Sequence, residues 1–359
     1  MEEHNRMTHY LLYCCAMIFV LISVLLATSQ RAQAQTREAY VAQSADKTML
    51  TFYYDALRST RIGTTWGIEE TKKEGDYTFP AWTAWDEGDS TTTRVVFDAS
   101  FRDFRPTTTA KWFYDCNALK QIEGLEYLNT AEVKDMSRMF WGCSALTSLD
   151  LKNFNTKKVT KMGRMFWGCS ALTSLDLKNF NTKNVIDMSG MFSDCVALTS
   201  LDLKNFNTKN VTDMSWMFSA CVDLTSLDLK DFNTKNVTDM SWTFYGCAAL
   251  ISLDLKNFNT KNVTKMSGMF SDCTSLTSLD LKNFNTKKVT YMYDMFSGCA
   301  ALTTINSNTT WQCQESKDMF AGCTQLKGAV AYDEIKTDAT MANPETGYFT
   351  AESTTVRSR

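Results

Sequence analysis

A repeat of 26 residues constrains this chain more than any other feature. Cysteines recur along it at intervals of 26 residues, with one interval of 27 and one of 24. Each unit reads CSALTSLDLKNFNTKNVTDMSGMF with single-site changes. A fixed period of this length is typical of repeat proteins in which stacked units bury an apolar face that no unit buries alone. The recurring cysteines are Cys116, Cys143, Cys169, Cys195, Cys221, Cys247, Cys273, Cys299 and Cys323.

The apolar residues of one unit fall into two patterns. Leu175 and Leu177 flank Asp176, and this alternation predicts a half-buried strand. Earlier in the unit, apolar residues at 162, 165, 166 and 169 follow spacings of three and four, which predicts a short helix with one buried face. The predicted fold class is therefore an α/β repeat solenoid, with parallel β-strands on one face and short helices on the other.

The spacing LxxLxL before an Asn or Asp is that of leucine-rich repeats. The arrangement MFxxCxxLxxLxL more narrowly resembles the BspA-like leucine-rich-repeat surface proteins of bacteria, over roughly residues 110–325. The flanks YVAQSADKTMLTFYYD and GAVAYDEIKTDATMANPETGYFT extend the resemblance. It implies a secreted or cell-surface protein, in a family associated with adhesion to host components and other cells, and no particular ligand. We expect a right-handed leucine-rich-repeat superhelix.

The pattern divides the chain into four segments. Leu11 to Ala27 is mostly apolar, and Ala32-Gln33-Ala34 has the small-x-small form of a cleavage site, which predicts a signal peptide. An uncleaved anchor helix is the alternative, although the run is short for a span of ~20 residues. The predicted segments are a signal peptide at 1–34, an N-terminal β-rich cap at 35–111 with strands at 49–54 and 95–97, a solenoid of about nine coils at 112–323, and a C-terminal cap and tail at 324–359.

Charge and histidine content exclude several functions. The net charge is −3, from 37 basic and 40 acidic residues, which gives no case for nucleic acid or an anionic membrane. Both histidines, His4 and His9, lie in the predicted signal peptide, so the mature chain has no histidine for nucleophile activation or zinc binding. Without a glycine-rich phosphate loop or a distinctive acid pair, the sequence predicts no enzyme and no cofactor.

The regular columns of the repeat are predicted to be structural. The recurring cysteines belong to the apolar pattern, which predicts reduced, buried thiols rather than disulfides or metal ligands. Cys313 stands where other units have a core valine such as Val159, and it is expected to replace that valine. The aspartates equivalent to Asp150 are predicted to point outward, where lysines equivalent to Lys152 neutralise them.

Two positions vary from unit to unit and form the candidate binding site. They lie five and two residues before each recurring cysteine, and on a helix they would share a face. Exposed aromatics beside arginines are typical of binding hot spots. The alternative, favoured by the frequency of scattered surface aromatics, is that these rings pack flat between units. The candidate residues are Arg138, Trp141, Arg164, Trp167, Trp216, Trp242 and Tyr245.

These patterns predict an exported protein, with no transmembrane span in the mature chain, that presents an extended surface to a macromolecule. The expected partner is a protein or glycan of a host or neighbouring cell surface, and the expected role is adhesion. Two alternatives stay open. One is a glycan-binding module that uses the aromatic stripe or the tryptophan-rich polar loop between Glu69 and Ser90. The other is a structural envelope component without a discrete ligand.

Overall fold

A computed structural model describes residues 16–21, 36–84 and 88–351. The predicted signal peptide therefore lies outside the described residues, apart from residues 16–21, which are helical. In these three stretches, no helix has both the length and the apolar content needed to cross a membrane.

The regular secondary structure is concentrated at the two ends of the chain. Short 3₁₀ helices occur at Arg58–Thr60, Ala99–Asp103, Leu125–Tyr127 and Ala339–Met341. Within the described residues the strands are β1 (Glu38–Gln43), β2 (Met49–Asp55), β3 (Thr65–Gly67), β4 (Thr71–Glu74), β5 (Tyr77–Pro80), β6 (Arg94–Phe97), β7 (Gln121–Glu123), β8 (Ser278–Asp280), β9 (Thr304–Asn306) and β10 (Phe349–Thr350).

The N-terminal sheet has the strand order β3-β1-β2-β6-β7. Strand β1 pairs antiparallel with β2 and β3, whereas the β2–β6 and β6–β7 pairs are parallel. The predicted strands at 49–54 and 95–97 are confirmed by β2 and β6. The direction of pairing therefore changes from antiparallel to parallel as the chain approaches the repeat.

The described part of the segment from Glu69 to Ser90 contains a hairpin where a polar loop was predicted. Strands β4 and β5 pair antiparallel as a hairpin, with Gly75 at a φ of +58° in the connecting turn. The side chain of Trp82 is buried, and its Nε1–H donates to the backbone oxygen of Trp112 at 2.9 Å. Residue 85, the third tryptophan in this region, lies outside the described residues.

The predicted short helices of the repeat are absent from residues 88–351, and this part of the prediction is wrong. In their place, every second N–H of the segment before each cysteine donates to a backbone oxygen of the next unit. The intervening N–H groups close four-residue turns, such as the one in which the N–H of Met139 donates to the oxygen of Met136 at 3.2 Å. In one unit the inter-unit donors are Met136, Arg138, Phe140 and Gly142, at 2.7 to 3.0 Å from Lys161, Gly163, Met165 and Trp167.

A left-handed backbone at two positions explains why this segment is not helical. Residues five and one before the cysteine have positive φ, for example +56° at Arg138 and +75° at Gly142. A left-handed residue cannot continue a right-handed helix. The spacing of apolar residues by three and four therefore marks two successive turns. Their inward side chains, Met136, Met139, Phe140 and Cys143, are all buried.

The segment after each cysteine, which was predicted to be a strand, forms fewer inter-strand hydrogen bonds than expected. Among the described residues, paired strands in this segment occur in the first unit, where β7 pairs with β6, and in the last units, where β8 and β9 pair with each other and β9 with β10. In the central units contacts are longer, such as 3.4 Å from the Thr225 nitrogen to the Thr199 oxygen. The predicted alternation of side chains is nevertheless confirmed, since Leu175 and Leu177 are buried and Asp176 is exposed.

A column of stacked phenylalanines runs through the core. One ring from each unit lies parallel to the ring of the next, with centroids 5.4 to 5.9 Å apart. The column consists of Phe113, Phe140, Phe166, Phe192, Phe218, Phe244, Phe270, Phe296 and Phe320. Consecutive units are therefore in register over the whole length of the repeat.

Candidate functional site

The candidate residues five before each cysteine occupy the left-handed position. Trp216 and Trp242 have φ angles of +60° and +59°, and their N–H groups donate to the next unit at 2.9 and 2.8 Å. The N–H of Tyr245 then donates to the oxygen of Trp242 at 3.2 Å. The two variable positions are thus joined by a turn rather than a helix, and the turn keeps their side chains on one side of the stack.

Four of the candidate aromatics form one contiguous cluster, which we call the aromatic patch: Trp167, Trp216, Trp242 and Tyr245. Trp216 stacks on Trp242 with centroids 5.2 Å apart and planes 20° from parallel. Tyr245 meets Trp242 edge-on at 5.3 Å. Trp167 reaches Trp216 at 6.2 Å across an intervening unit. The rings therefore form a row across four consecutive units.

Glycines at the left-handed position make room for two of these rings. A Cβ on Gly190 would lie 2.5 Å from Cε3 of Trp167, and a Cβ on Gly268 would lie 2.1 Å from Cε3 of Trp242. Any other residue would therefore displace the indole. The placement of Trp167 and Trp242 therefore depends on glycine at the left-handed position of the following unit.

Of the remaining candidates, Arg164 adjoins the patch, whereas Trp141 and Arg138 lie apart from it. Trp141 stacks on Tyr114 with centroids 4.5 Å apart and planes 6° from parallel. The guanidinium of Arg164 lies 5.4 Å from the Trp167 centroid, a cation–π distance. Arg138 lies beside the Tyr114–Trp141 pair, where its charge adds to burial in lowering the pKa of Lys111. The predicted stripe is therefore two surfaces.

Sequence reasoning missed Tyr114. It stands two residues before Cys116, the same position that Trp141 has before Cys143, so extending the pattern by one unit would have found it. Burial raises the pKa of the Tyr114 phenol. Its ring is covered on one face by Trp141 and met edge-on by Phe79 of β5 at 5.0 Å.

Neither variable position is consistently exposed, as an exposed binding stripe would require. The aromatic candidates are half-buried, because each ring packs against its neighbours in the stack. Serines at the second position, among them Ser193, Ser219 and Ser271, are buried. Position alone therefore does not decide exposure, since a large side chain extends to the surface from a site where serine is covered.

Acidic groups beside the repeat turns respond to their partial burial. Burial raises the pKa of Asp194, although Ser193 donates a hydrogen bond to its carboxylate at 3.1 Å. Burial also raises the pKa of Asp213, and the charges of Asp239 and Asp187 act in the same direction. Over the described ranges, no group of three or more His, Cys, Asp or Glu residues is arranged to hold a metal ion.

The recurring cysteines are free and buried, which confirms their predicted structural role. Each thiol from Cys143 to Cys323 donates to a phenylalanine oxygen of the preceding unit, at 2.9 to 3.2 Å. Burial raises the pKa of Cys169 and Cys221 to about 12. A buried, protonated thiol has neither the access nor the thiolate needed for reactivity.

Cys313 departs from the prediction that it replaces a core valine. It is only half-buried, and it lines a cavity of about 790 Å³ together with residues 338–340. The unit that contains it is two residues shorter than the usual 26, since the interval from Cys299 to Cys323 is 24 residues. The shorter unit cannot bring this position as far into the core.

The acidic column is paired as predicted. Each aspartate from Asp150 to Asp280 lies within 2.6 to 3.5 Å of the lysine two residues later. In the pair formed by Asp228 and Lys230 both side chains are about 60% exposed, so its contribution to stability is small. The result is a neutral, solvated surface.

Family comparison identifies the repeat. Residues 107–227 and 212–332 match the model of a family described as "Mycoplasma protein of unknown function, DUF285". Together the two matches cover more than half of the chain. The chain belongs to the DUF285 family. This is a BspA-like family, so the resemblance inferred from the sequence is confirmed.

Two solved structures are similar to this DUF285 chain. A leucine-rich repeat protein of T. pallidum is 17% identical, with a TM-score of 0.33, over 68% of this chain and 89% of that one. A leucine-rich cell surface protein from Faecalibacterium prausnitzii is also 17% identical, with a TM-score of 0.28, over 86% of this chain and 97% of that one. A search of curated proteins gives no match.

Proposed function

We propose that this DUF285 chain is exported and presents an extended surface on which the aromatic patch binds a protein partner, as an adhesin would. The observation that carries the proposal is the placement of Trp216 and Trp242 at left-handed backbone positions. A left-handed conformation costs a residue with a Cβ roughly 1–2 kcal/mol, and Gly190 and Gly268 avoid that cost at the same position. The same left-handed position recurs in each unit, so what distinguishes these two units is the large aromatic side chain that occupies it.

The packing of the rings favours a protein partner over a glycan. Trp242 lies between Trp216 of the preceding unit and Gly268 of the following unit, so both of its flat faces are already in contact. Stacking of a sugar ring requires an open aromatic face. Half-buried rings with a nearby arginine instead resemble the anchors of protein interfaces, where tryptophan, tyrosine and arginine predominate.

The proposed architecture follows from family membership and the repeat. We propose a right-handed leucine-rich-repeat solenoid at 112–323, with caps at 35–111 and 324–359 that shield its ends from water. A signal peptide at 1–34 would deliver the chain to the cell surface or the medium. No catalytic role is proposed, because the repeat offers columns of equivalent residues rather than one distinctive acid, base or nucleophile.

The experiment compares binding of the purified, labelled mature chain to host-cell monolayers with that of the variant Trp216→Ala/Trp242→Ala. Loss of two hot-spot residues should weaken binding by more than ~2 kcal/mol, or about 30-fold. The control variant Asp202→Asn/Asp228→Asn alters the paired acidic column, and it should change mainly the salt dependence. The melting temperature of each variant is measured alongside.

Three outcomes would contradict the proposal. The first is that the double tryptophan variant binds as the parent does, and the second is that it unfolds. The third is that protease treatment of the monolayer leaves binding unchanged while glycosidase treatment abolishes it. The last result would favour the glycan-binding alternative. Failure of the parent to bind any cell or matrix surface would favour a structural envelope role.

A further inference from the structure

The repeat presents two rows of lysines, and only one of them is neutralised. The paired lysine row comprises Lys152, Lys178, Lys204, Lys230, Lys256 and Lys282, each beside an aspartate of its own unit. The second row lies five residues later in each unit, and we call it the unpaired lysine row. It comprises Lys157, Lys183, Lys209, Lys235, Lys261 and Lys287.

The unpaired row is fully solvent-facing. All six side chains are exposed, and among the described residues no carboxylate lies within ion-pair distance of any of them. The adjacent residues are mostly asparagine and threonine, apart from Lys158 and Lys288 at the two ends, which add positive charge. Lys158 pairs with Glu132 in the first unit.

Like charges in neighbouring units repel each other. A row of six lysines without acidic partners therefore works against stacking, whereas the paired row does not. Nothing in the packing requires lysine at the unpaired position, because these side chains are exposed and make no described hydrogen bond with another side chain. The row is best explained by an external anion.

The backbone holds the unpaired row rigidly. The N–H of Lys209 donates to Oδ1 of Asn207 at 3.1 Å, and Nδ2 of Asn236 donates to the Lys209 oxygen at 2.8 Å. The preceding Thr208 is buried, and its hydroxyl bonds to Asn233 of the next unit. Equivalent bonds fix Lys183 and Lys235. These bonds fix the backbone of the row, so each lysine side chain extends from a defined position in its unit.

The spacing of the row fits a linear polymer. Phe154 and Phe180, which lie in the same turns as the first two lysines, have stacked rings with centroids 6.4 Å apart. Six units with a spacing near that of neighbouring strands extend over roughly 25–30 Å. A straight line of charges on that scale matches a chain-like polyanion better than a compact anion, which would contact one or two lysines.

We propose that the unpaired lysine row binds a sulfated polysaccharide. The lysines would contact the sulfate groups, and the exposed amide groups of flanking asparagines such as Asn207 and Asn210 are suited to hydrogen-bond sugar hydroxyls. Single-stranded nucleic acid is disfavoured because its binding surfaces combine basic residues with aromatic rings for base stacking, and the row contains none. This surface is separate from the aromatic patch, so the proposal does not depend on the function proposed above.

The test uses heparin as the probe and two matched triple variants of the mature chain. Lys183→Gln/Lys209→Gln/Lys235→Gln removes three unpaired lysines, and Lys178→Gln/Lys204→Gln/Lys230→Gln removes three paired ones from the same units. Both change the net charge equally. At 0.1 M salt the first variant should bind heparin at least 10-fold more weakly than the parent. A plot of its log affinity against log salt concentration should also have a smaller slope, because fewer counterions are released on binding. The second should stay within about three-fold.

Chemically desulfated heparin and a single-stranded oligonucleotide of equal charge complete the test. The parent should bind neither as tightly as heparin, and Trp216→Ala/Trp242→Ala should bind heparin as the parent does. The proposal is overturned if the parent does not bind heparin, if both lysine variants lose affinity equally, or if the oligonucleotide competes as well as heparin. Loss of heparin binding in the tryptophan variant would equally overturn it, since the two surfaces would then be one.

Discussion

At the scale of single residues, glycine and tryptophan have complementary roles in neighbouring units. The left-handed position accepts glycine without strain, and in two units the vacant Cβ space is filled by the indole of the preceding unit. This coupling is invisible in an analysis that treats each variable position separately. The aromatic patch is therefore specified by its glycines as much as by its aromatics.

Replacing Gly268 with alanine should expose this coupling. Gly268→Ala combines left-handed strain with a contact of 2.1 Å to Trp242, so we expect a loss of stability of about 2–4 kcal/mol and an altered tryptophan fluorescence spectrum. Gly246→Ala is the matched control. It has a φ of +66°, but its nearest neighbour is the Ala220 Cα at 3.6 Å, so only the strain of about 1 kcal/mol should appear in urea unfolding. Equal losses of stability in the two variants would contradict the packing of Trp242 against Gly268.

The buried thiols predict a specific loss of stability in alkali. Cys221 ionises near 9.0 when unfolded, and burial raises its folded pKa to about 12. A raised folded pKa means that its contribution is fully present below pH 9 and is lost as the pH rises towards 12. At pH 10.5 the loss should be about 2 kcal/mol for this thiol.

The prediction is measured as a difference between two pH values. At pH 7, Cys221→Ala should lower the free energy of unfolding in urea by ~1 kcal/mol relative to the parent, through lost packing. At pH 10.5 the variant should be as stable as the parent or more stable. Val237→Ala, also fully buried but without a titratable group, should cost the same at both pH values. If the stability difference between Cys221→Ala and the parent were the same at both pH values, the thiol would have the same pKa in the folded and unfolded states.

At the scale of elements, sequence patterns predicted side-chain burial better than backbone conformation. The strand register at Leu175 and Leu177 and the inward column of methionine, phenylalanine and cysteine are both confirmed. The same apolar spacing fits a helix and a pair of tight turns, so the pattern could not distinguish them. The deciding signal was the residue type at Gly142 and Gly190, since recurrent glycine at fixed offsets indicates positive φ.

Some of the site was beyond sequence reasoning for a different reason. Whether Trp141 joins Trp167 or Tyr114 depends on the ring orientations of neighbouring units, which have no signature in spacing. The unpaired lysine row, by contrast, could have been found, because the predicted pairing of Asp150 with Lys152 already leaves Lys157 without an aspartate of its own. Lys152 lies next to Asp150 in the structure, and Lys157 does not.

A threonine column is a further structural element that the sequence analysis did not single out. The buried hydroxyl of Thr208 accepts from the N–H of Asn233 at 2.7 Å and donates to its oxygen at 3.1 Å. Thr208→Val should therefore cost about 2 kcal/mol, because one substitution unpairs two backbone groups of the next unit. Thr225→Val, at an exposed threonine with a 3.5 Å contact, should change urea unfolding by no more than ~0.5 kcal/mol. Similar costs at both sites would argue against the column.

At the scale of the whole molecule, net charge conceals how charge is arranged. The value of −3 suggested no polyanionic partner, yet the repeat gathers six lysines into one exposed row and pairs six others with aspartate. A repeat converts any single residue of the unit into a line on the surface. Composition averaged over the chain therefore cannot predict what such a surface binds.

The same geometry predicts that one whole unit can be removed. Residues 143–157 and 169–183 have identical sequences, so deleting 144–169 joins Cys143 to Ser170 without altering the local sequence. Each unit bonds to its neighbours through the same backbone atoms, and Trp141 would then face Gly190 as Trp167 does now. The shortened chain should fold cooperatively and lose about 1–4 kcal/mol of stability, in proportion to the 26 residues removed.

Deletion of half a unit provides the control. Removing residues 144–156 would place Lys157 directly after Cys143 and shift every later side chain out of register with the phenylalanine and cysteine columns. Exposed residues would then face the core, so this variant should fail to give a cooperative urea transition. If both deletions unfold, the units are not interchangeable and the ends determine the stack. If both fold equally well, the register of the columns does not hold the repeat together.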